Sequence, residues 1–83
     1  MYIKFDSEKD PKRYQSFAYT NWAKTYSVDL SKPFLVIDSY VEEGKLIYLC
    51  VPPPSLRGKV EKVHLYSDCF SPVDLDLKLE EYL

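Results

Sequence analysis

The feature that most constrains the fold is a pair of apolar runs on either side of a short, glycine-bearing turn. The runs, residues 34–41 and 46–51, are rich in the β-branched and aromatic residues that favour strands. Gly44 lies in the connection and can take the positive φ that a tight turn requires. The pattern therefore predicts an antiparallel β-hairpin in the middle of the chain.

Three more segments have the character of strands. Residues 1–6 and 60–66 alternate between apolar and polar positions, and residues 69–73 form a short closing run. The prolines at 52–54 have no N–H to give to a ladder, so a stiff loop that ends near Gly58 is expected to interrupt the sheet.

A short helix is predicted in the N-terminal third. Asp10 precedes Pro11, and the two residues suit the N-cap and the first position of a helix. Aromatic residues then recur at a spacing of four, which places them in one stripe that packs on the sheet. The stripe comprises Tyr14, Ala18, Trp22 and Tyr26, with Phe17 beside it.

The chain of 83 residues is the size of one domain. Its expected parts are an N-terminal strand with an aromatic helix or loop segment at 1–32, a β core at 33–73 and an acidic, leucine-rich tail at 74–83. The predicted fold is mainly β with one short helix, as a small antiparallel barrel or a strongly twisted sheet of about five strands. The tail suits a strand and a helix equally well.

Charge is unevenly distributed along the chain. The net charge of −2 argues against a cationic surface over the whole molecule. Residues 67–83 carry −4, whereas residues 1–66 carry +2. The leucines of the acidic end are too numerous for a purely solvated segment, so this end is expected to pack on the core or to contact a partner.

The sequence predicts a cytoplasmic protein without a cofactor. It has neither the pattern of a signal peptide nor an apolar run long enough to span a bilayer. Cys50 and Cys69 are expected to be buried free thiols rather than a disulfide. Together with His64 they lack the spacing of a metal site, and the two glycines cannot build a phosphate-binding loop. A catalytic set of Cys69, His64 and Asp68 is a generic combination, so an enzyme is not expected.

Residues 33–73 resemble the SH3-like small β-barrels that are common among accessory proteins of tailed bacteriophages. The resemblance implies a binding module that blocks a host or defence protein by steric occupancy, in the host cytoplasm if the source is viral. The chain lacks the ALYDY-type motif of eukaryotic SH3 domains, so their peptide groove is not transferred to it. The resemblance is carried by PFLVIDSYV, EEGK, LIYLCV, GKVEKVHLY and CFSPV.

The leading hypothesis is therefore a non-enzymatic module that binds a protein through exposed aromatic, leucine and arginine side chains, because aromatic and arginine anchors dominate interface energetics. The rival hypothesis is a single-stranded nucleic-acid binder, in which cations track phosphates and rings stack on bases. No membrane contact is expected. The predicted protein-binding residues are Tyr14, Tyr19, Trp22, Leu56 and Arg57. The nucleic-acid set is Lys12, Arg13, Tyr14, Trp22 and Lys24, with Tyr19 as a further stacking ring.

Overall fold

The computed structural model describes residues 1–73, which form a five-stranded antiparallel sheet and one α-helix. The elements are β1 (Tyr2–Phe5), α1 (Tyr14–Tyr26), β2 (Phe34–Glu42), β3 (Lys45–Cys50), β4 (Val63–Tyr66) and β5 (Phe70–Val73), with short 3-10 turns at Ser7–Lys9 and Pro54–Leu56. The strand order is β4-β3-β2-β1-β5, and this mainly β architecture confirms the predicted fold class. The strand or helix predicted for residues 74–83 lies outside the described part of the chain.

The long strand β2 joins the two halves of the sheet. Its first residues pair with β1, and the remainder pairs with β3. The register shifts between Val36 and Asp38, which leaves Ile37 as an extra residue in β2. A bulge of this kind bends a strand and increases its twist. The β5–β1 half is therefore turned relative to the β3–β4 half, as expected for a strongly twisted or barrel-like sheet.

The predicted hairpin between β2 and β3 is confirmed. Its turn contains two consecutive residues with positive φ, Glu43 at 53° and Gly44 at 78°. Two positive φ values in a row give the turn a twist that matches that of the two strands, and glycine takes such a value without a Cβ penalty.

Strand β4 begins three residues later than predicted, at Val63 instead of Val60. Continuing the β3–β4 register would place Val60 and Glu61 opposite Pro53 and Pro52, which have no N–H to donate. The backbone N–H of Val60 instead donates to the carbonyl oxygen of Leu56 at 3.2 Å. The prolines therefore end the ladder and leave a turn before β4.

The helix begins at Tyr14, not at Pro11 as predicted. Arg13, at the N-cap position, has a φ of 60°, so the chain becomes helical only after it. Asp10 nevertheless satisfies the first turn, because its Oδ2 accepts hydrogen bonds from the backbone N–H groups of Gln15 at 2.8 Å and Ser16 at 3.1 Å. The capping role of Asp10 was predicted correctly, but the start of the helix was not.

The predicted aromatic stripe faces the core only in part, because Trp22 packs against the core cluster while other members of the stripe do not. Tyr14 is 77% exposed and Phe17 is 68% exposed, whereas Ser16 and Ala23 are buried. These two small residues are seven positions apart and lie on the same helical face. They allow the helix backbone to approach the sheet closely, and the larger rings lie to either side.

The core is centred on Phe70, whose side chain is fully buried. Its ring makes edge-to-face contacts with Tyr19, Phe5 and Phe34, at centroid distances of 5.0, 5.6 and 5.9 Å. Cys50 and Cys69 are buried in the same cluster as free thiols, as predicted.

The outer edge of β5 is protected against further pairing. Lys9 Nζ donates to the carbonyl oxygen of Phe70 at 3.1 Å, and Pro72 has no N–H to offer. A lysine and a proline are common means of blunting an edge strand. This edge is therefore a poor site for adding another strand.

Replacing Phe70 with alanine should lower the free energy of unfolding by about 3–5 kcal/mol, because it removes the ring that joins three other aromatic side chains. Phe17→Ala is the matched control, since Phe17 is largely exposed. It should change stability by less than about 0.5 kcal/mol. Urea denaturation followed by circular dichroism measures both, and equal losses would contradict this description of the core.

The cap made by Asp10 should give the protein a pH-dependent stability. The backbone N–H of Ser16 is the main cause that lowers the pKa of this carboxyl below its usual 3.8. Because the pKa is lower in the folded state than in the unfolded state, the stabilisation by the cap is complete at pH values above the unfolded-state pKa. It is lost as the pH falls through the folded-state pKa. The melting temperatures of the wild type and Asp10→Ala should therefore converge below pH 3.8. Asp10→Asn, which keeps an acceptor at every pH, should retain the cap.

Candidate protein-binding groove

A groove of about 610 Å³ runs between helix α1 and the edge strand β4. Its walls are mainly apolar, and its rim carries positively charged side chains. We call it the α1–β4 groove. On the helix side it is lined by Ala18, Trp22 and Tyr26, and on the strand side by Val60, Val63 and Leu65.

The way the helix packs explains why the groove exists. Ser16 and Ala23 hold α1 against the part of the sheet that contains Phe70, so the helix does not cover β4 completely. The helical positions next to this buried face, at spacings of three and four, then line the gap. They are Gln15, Ala18, Tyr19, Trp22 and Tyr26.

Strand β4 forms one edge of the sheet, and its backbone groups alternate between β3 and the groove. The N–H of Ser67 donates to the carbonyl oxygen of Leu46 at 3.0 Å, which identifies a hydrogen-bonded pair. In an antiparallel ladder the next such pairs are Leu65 with Tyr48 and Val63 with Cys50. The N–H and C=O groups of Tyr66 and His64 therefore point away from β3.

The outward groups of Tyr66 already have partners. Its N–H donates to the hydroxyl oxygen of Tyr19 at 2.9 Å, and its carbonyl accepts from the N–H of Cys69 at 3.1 Å. By contrast, within residues 1–73 neither backbone group of His64 has such a partner. Within the part of the chain that the structure describes, His64 therefore presents a donor and an acceptor without partners.

Burial raises the pKa of Tyr19 to about 12, so its hydroxyl stays neutral in the physiological range. The ring packs against Phe70 and Trp22 while the oxygen accepts the hydrogen bond from Tyr66. Tyr19 thus connects the core to the end of the groove.

The electrostatic character of the groove is positive. Lys59 and Lys62 are among its lining residues, and no aspartate or glutamate of the described chain is. The nearby His64 has its Nδ1 atom 3.1 Å from the hydroxyl of Tyr40. Gln15 Oε1 is buried and has no hydrogen-bond donor within residues 1–73. The groove therefore combines apolar walls with a basic rim.

The predicted protein-binding residues are only partly brought together. Tyr19, Trp22 and Leu56 line the α1–β4 groove. Tyr14 lies on the solvent side of α1, and Arg57 borders a separate pocket of about 160 Å³.

The predicted exposure of Leu56 is wrong, because Leu56 is only 5% exposed. The turn Pro54–Leu56 directs its side chain into the core, and Arg57 is left at the surface. Leu56 therefore contributes to the base of the groove and is not a free anchor.

The residues predicted for nucleic-acid binding do not form one surface. Lys12, Arg13 and Tyr14 lie together at the start of α1 and are exposed. Trp22 faces the groove, but Lys24 lies about 160° away around the helix, since successive residues are separated by about 100°. The basic and aromatic side chains are thus divided between different faces.

The candidate catalytic residues have other partners. Cys69 is fully buried, its Sγ atom lies 3.8 Å from Ser16 Oγ, and burial raises the pKa of its thiol. Asp68 forms an ion pair with Lys45 at 3.2 Å, and His64 contacts Tyr40. Within the described chain no three histidine, cysteine or acidic side chains are grouped as metal ligands.

Comparison of the chain with protein-family models, with curated proteins and with solved structures found no match. The resemblance to SH3-like barrels therefore stays a prediction. Of the helices in residues 1–73, none has both the length and the apolar character needed to cross a bilayer.

Removing the hydroxyl of Tyr19 should destabilise the fold by about 1 kcal/mol, because the N–H of Tyr66 loses its acceptor. Tyr19→Phe keeps the ring in the core, so the change isolates the hydrogen bond. Amide exchange at Tyr66 should also accelerate. Tyr26→Phe is the control, since this tyrosine is about half exposed, and it should change neither quantity. Unaltered exchange at Tyr66 in Tyr19→Phe would show that the hydroxyl does not cap the strand.

Proposed function

We propose that this protein is a non-enzymatic binding module that holds a protein partner in the α1–β4 groove and acts by occupying the partner's surface. The observation that carries the proposal is the groove itself, an apolar cleft beside an incompletely paired sheet edge. Concave apolar surfaces with a few polar groups are common binding sites. Trp22 and Tyr26 supply aromatic anchors of the type that dominates interfaces.

The burial of Cys69 supports the non-enzymatic part of the proposal. A thiol needs to be accessible and ionised to act as a nucleophile, and the environment of Cys69 opposes both. The His64 Nδ1 atom lies 3.1 Å from the hydroxyl oxygen of Tyr40, which belongs to β2. A binding role makes use of the groove without requiring any of these groups to react.

The more specific proposal is that the module inhibits a host or defence protein in the manner of small phage accessory proteins. It rests on the resemblance of residues 33–73 to SH3-like barrels. The proposed partner is a protein in the host cytoplasm.

The test is capture of a partner from lysate of the source cell with matched variants as bait. Val60→Glu places a charge in the groove at a residue that is 42% exposed, and Val41→Glu makes the same change in the β2–β3 hairpin at a residue that is 68% exposed. If the partner is held in the groove, the amount captured should fall at least about tenfold with Val60→Glu and should not change with Val41→Glu. Equal retention by both variants would overturn the proposal.

Nucleic acid is distinguished in the same experiment. Capture that disappears after nuclease treatment, and that declines steeply as salt is raised, would indicate phosphate contacts instead of a protein partner. Lys24→Glu is then the informative variant, because Lys24 faces away from the groove. A groove-bound protein should be insensitive to that change.

A further inference from the structure

We propose that the partner enters the α1–β4 groove as an extended segment with alternating apolar and acidic side chains, and that it pairs with β4 as an added strand. This inference rests on the proposed function and names the chemistry of its partner. Three features of the groove support it, namely the backbone groups of His64, the apolar wall and the basic rim.

The free backbone groups favour an extended partner over a helical one. His64 presents one N–H and one C=O away from β3 without a partner among residues 1–73. An added strand satisfies both groups at once, as a hydrogen-bonded pair does within a sheet. A helix has no free backbone groups along its length to offer to them.

The walls of the groove favour a partner in which apolar and polar side chains alternate along the segment. Side chains of an extended strand point to opposite faces at successive positions. One set lies towards the apolar side formed by Trp22, Val63 and Leu65, where leucine-sized side chains are removed from water. The other set lies at the rim, where it remains solvated.

The rim determines the charge of the second set. Lys59 and Lys62 line the groove, and no described carboxylate shares it with them. Acidic side chains at alternate positions of the partner would meet these two ammonium groups, whereas basic side chains would be repelled. Lys59 and Lys62 both line the groove and precede β4 in the chain, so these contacts would favour a register that brings the acidic side chains to that end of β4.

The test uses three synthetic peptides of about eight residues, the typical length of a strand. The first alternates leucine and aspartate, the second alternates leucine and lysine, and the third is the first with the backbone N-methylated at alternate residues. Trp22 is the only tryptophan of the chain and lines the groove, so its fluorescence reports binding directly. Amide exchange at His64 reports strand pairing, with Leu65 as the internal control.

The leucine–aspartate peptide should bind saturably, and the leucine–lysine peptide should bind at least about tenfold more weakly at low salt. N-methylation on the edge that faces β4 should abolish binding, because the donors to β4 are lost. Binding should slow exchange of the His64 N–H and leave that of Leu65 unchanged. Equal binding of the two charged peptides, or full binding of the methylated peptide, would sink the proposal.

A charge reversal provides a second, independent check in the full chain. Lys62→Glu should weaken binding of the leucine–aspartate peptide and strengthen binding of the leucine–lysine peptide. Lys24→Glu, on another face of α1, should change the binding of neither peptide. An unchanged preference in Lys62→Glu would contradict the role of the rim.

The chain's own acidic end must be distinguished from a partner. Residues 74–83 alternate leucine with acidic residues at several positions, so a variant with Leu75, Leu77 and Leu79 all replaced by aspartate is included. Tighter peptide binding by this variant supports the chemistry and identifies residues 74–83 as a competitor for the groove. Failure of every peptide on both the wild type and the variant rejects the partner chemistry. If Val60→Glu still loses its captured partner in that case, the proposed function survives.

Discussion

The packing of Phe70 is the interaction on which most of the structure depends. Its ring lies on β5, yet it contacts rings from β1, β2 and α1. A chain of this size has little interior, so a few large side chains must bring distant segments together. Helix α1 reaches this cluster because Ser16 and Ala23 leave room for it. The position of the helix, and with it the width of the groove, follows from those packing requirements.

The two edges of the sheet differ in how fully they are protected against the addition of another strand. At β5 a lysine and a proline oppose further pairing, and at β4 the hydroxyl of Tyr19 satisfies the N–H of Tyr66. His64 is the position on β4 at which this protection stops. The prolines that follow β3 stop the β3–β4 ladder at the pair of Cys50 and Val63. The strand β4 is therefore short, and so is the edge that it exposes. A short edge limits uncontrolled aggregation while still allowing one segment to pair.

Much of the sheet could be predicted because it is encoded locally. The hairpin follows from two apolar runs around Gly44, and the alternation of Val63 and Leu65 marks the buried face of β4. The orientation of the helix could not be predicted in this way, because Tyr14 and Phe17 have the same apolar character as a core stripe. Only the sheet determines that Ser16 and Ala23 face it. The burial of Leu56 could not be predicted for a related reason, since it depends on the turn after the prolines.

The groove was only partly visible in the sequence. The sequence predicts a binding role for Trp22 and Tyr19 but none for Gln15, Lys59 and Lys62. The spacing of Gln15, Tyr19, Trp22 and Tyr26 is a helical pattern that the chain does contain. What the sequence lacks is any sign that β4 lies opposite this pattern, because that proximity arises from the order of the strands.

Tyr19 belongs at once to the core and to the edge of the groove. Its ring is part of the packing around Phe70, and its oxygen holds the backbone of β4. The stability of the fold and the proposed recognition of a partner therefore depend on the same side chain. A substitution at Tyr19 is expected to alter both. A ligand that steadies β4 would raise the resistance of the whole domain to unfolding by mass action. In a domain this small, the proposed binding surface and the scaffold share the same packed residues.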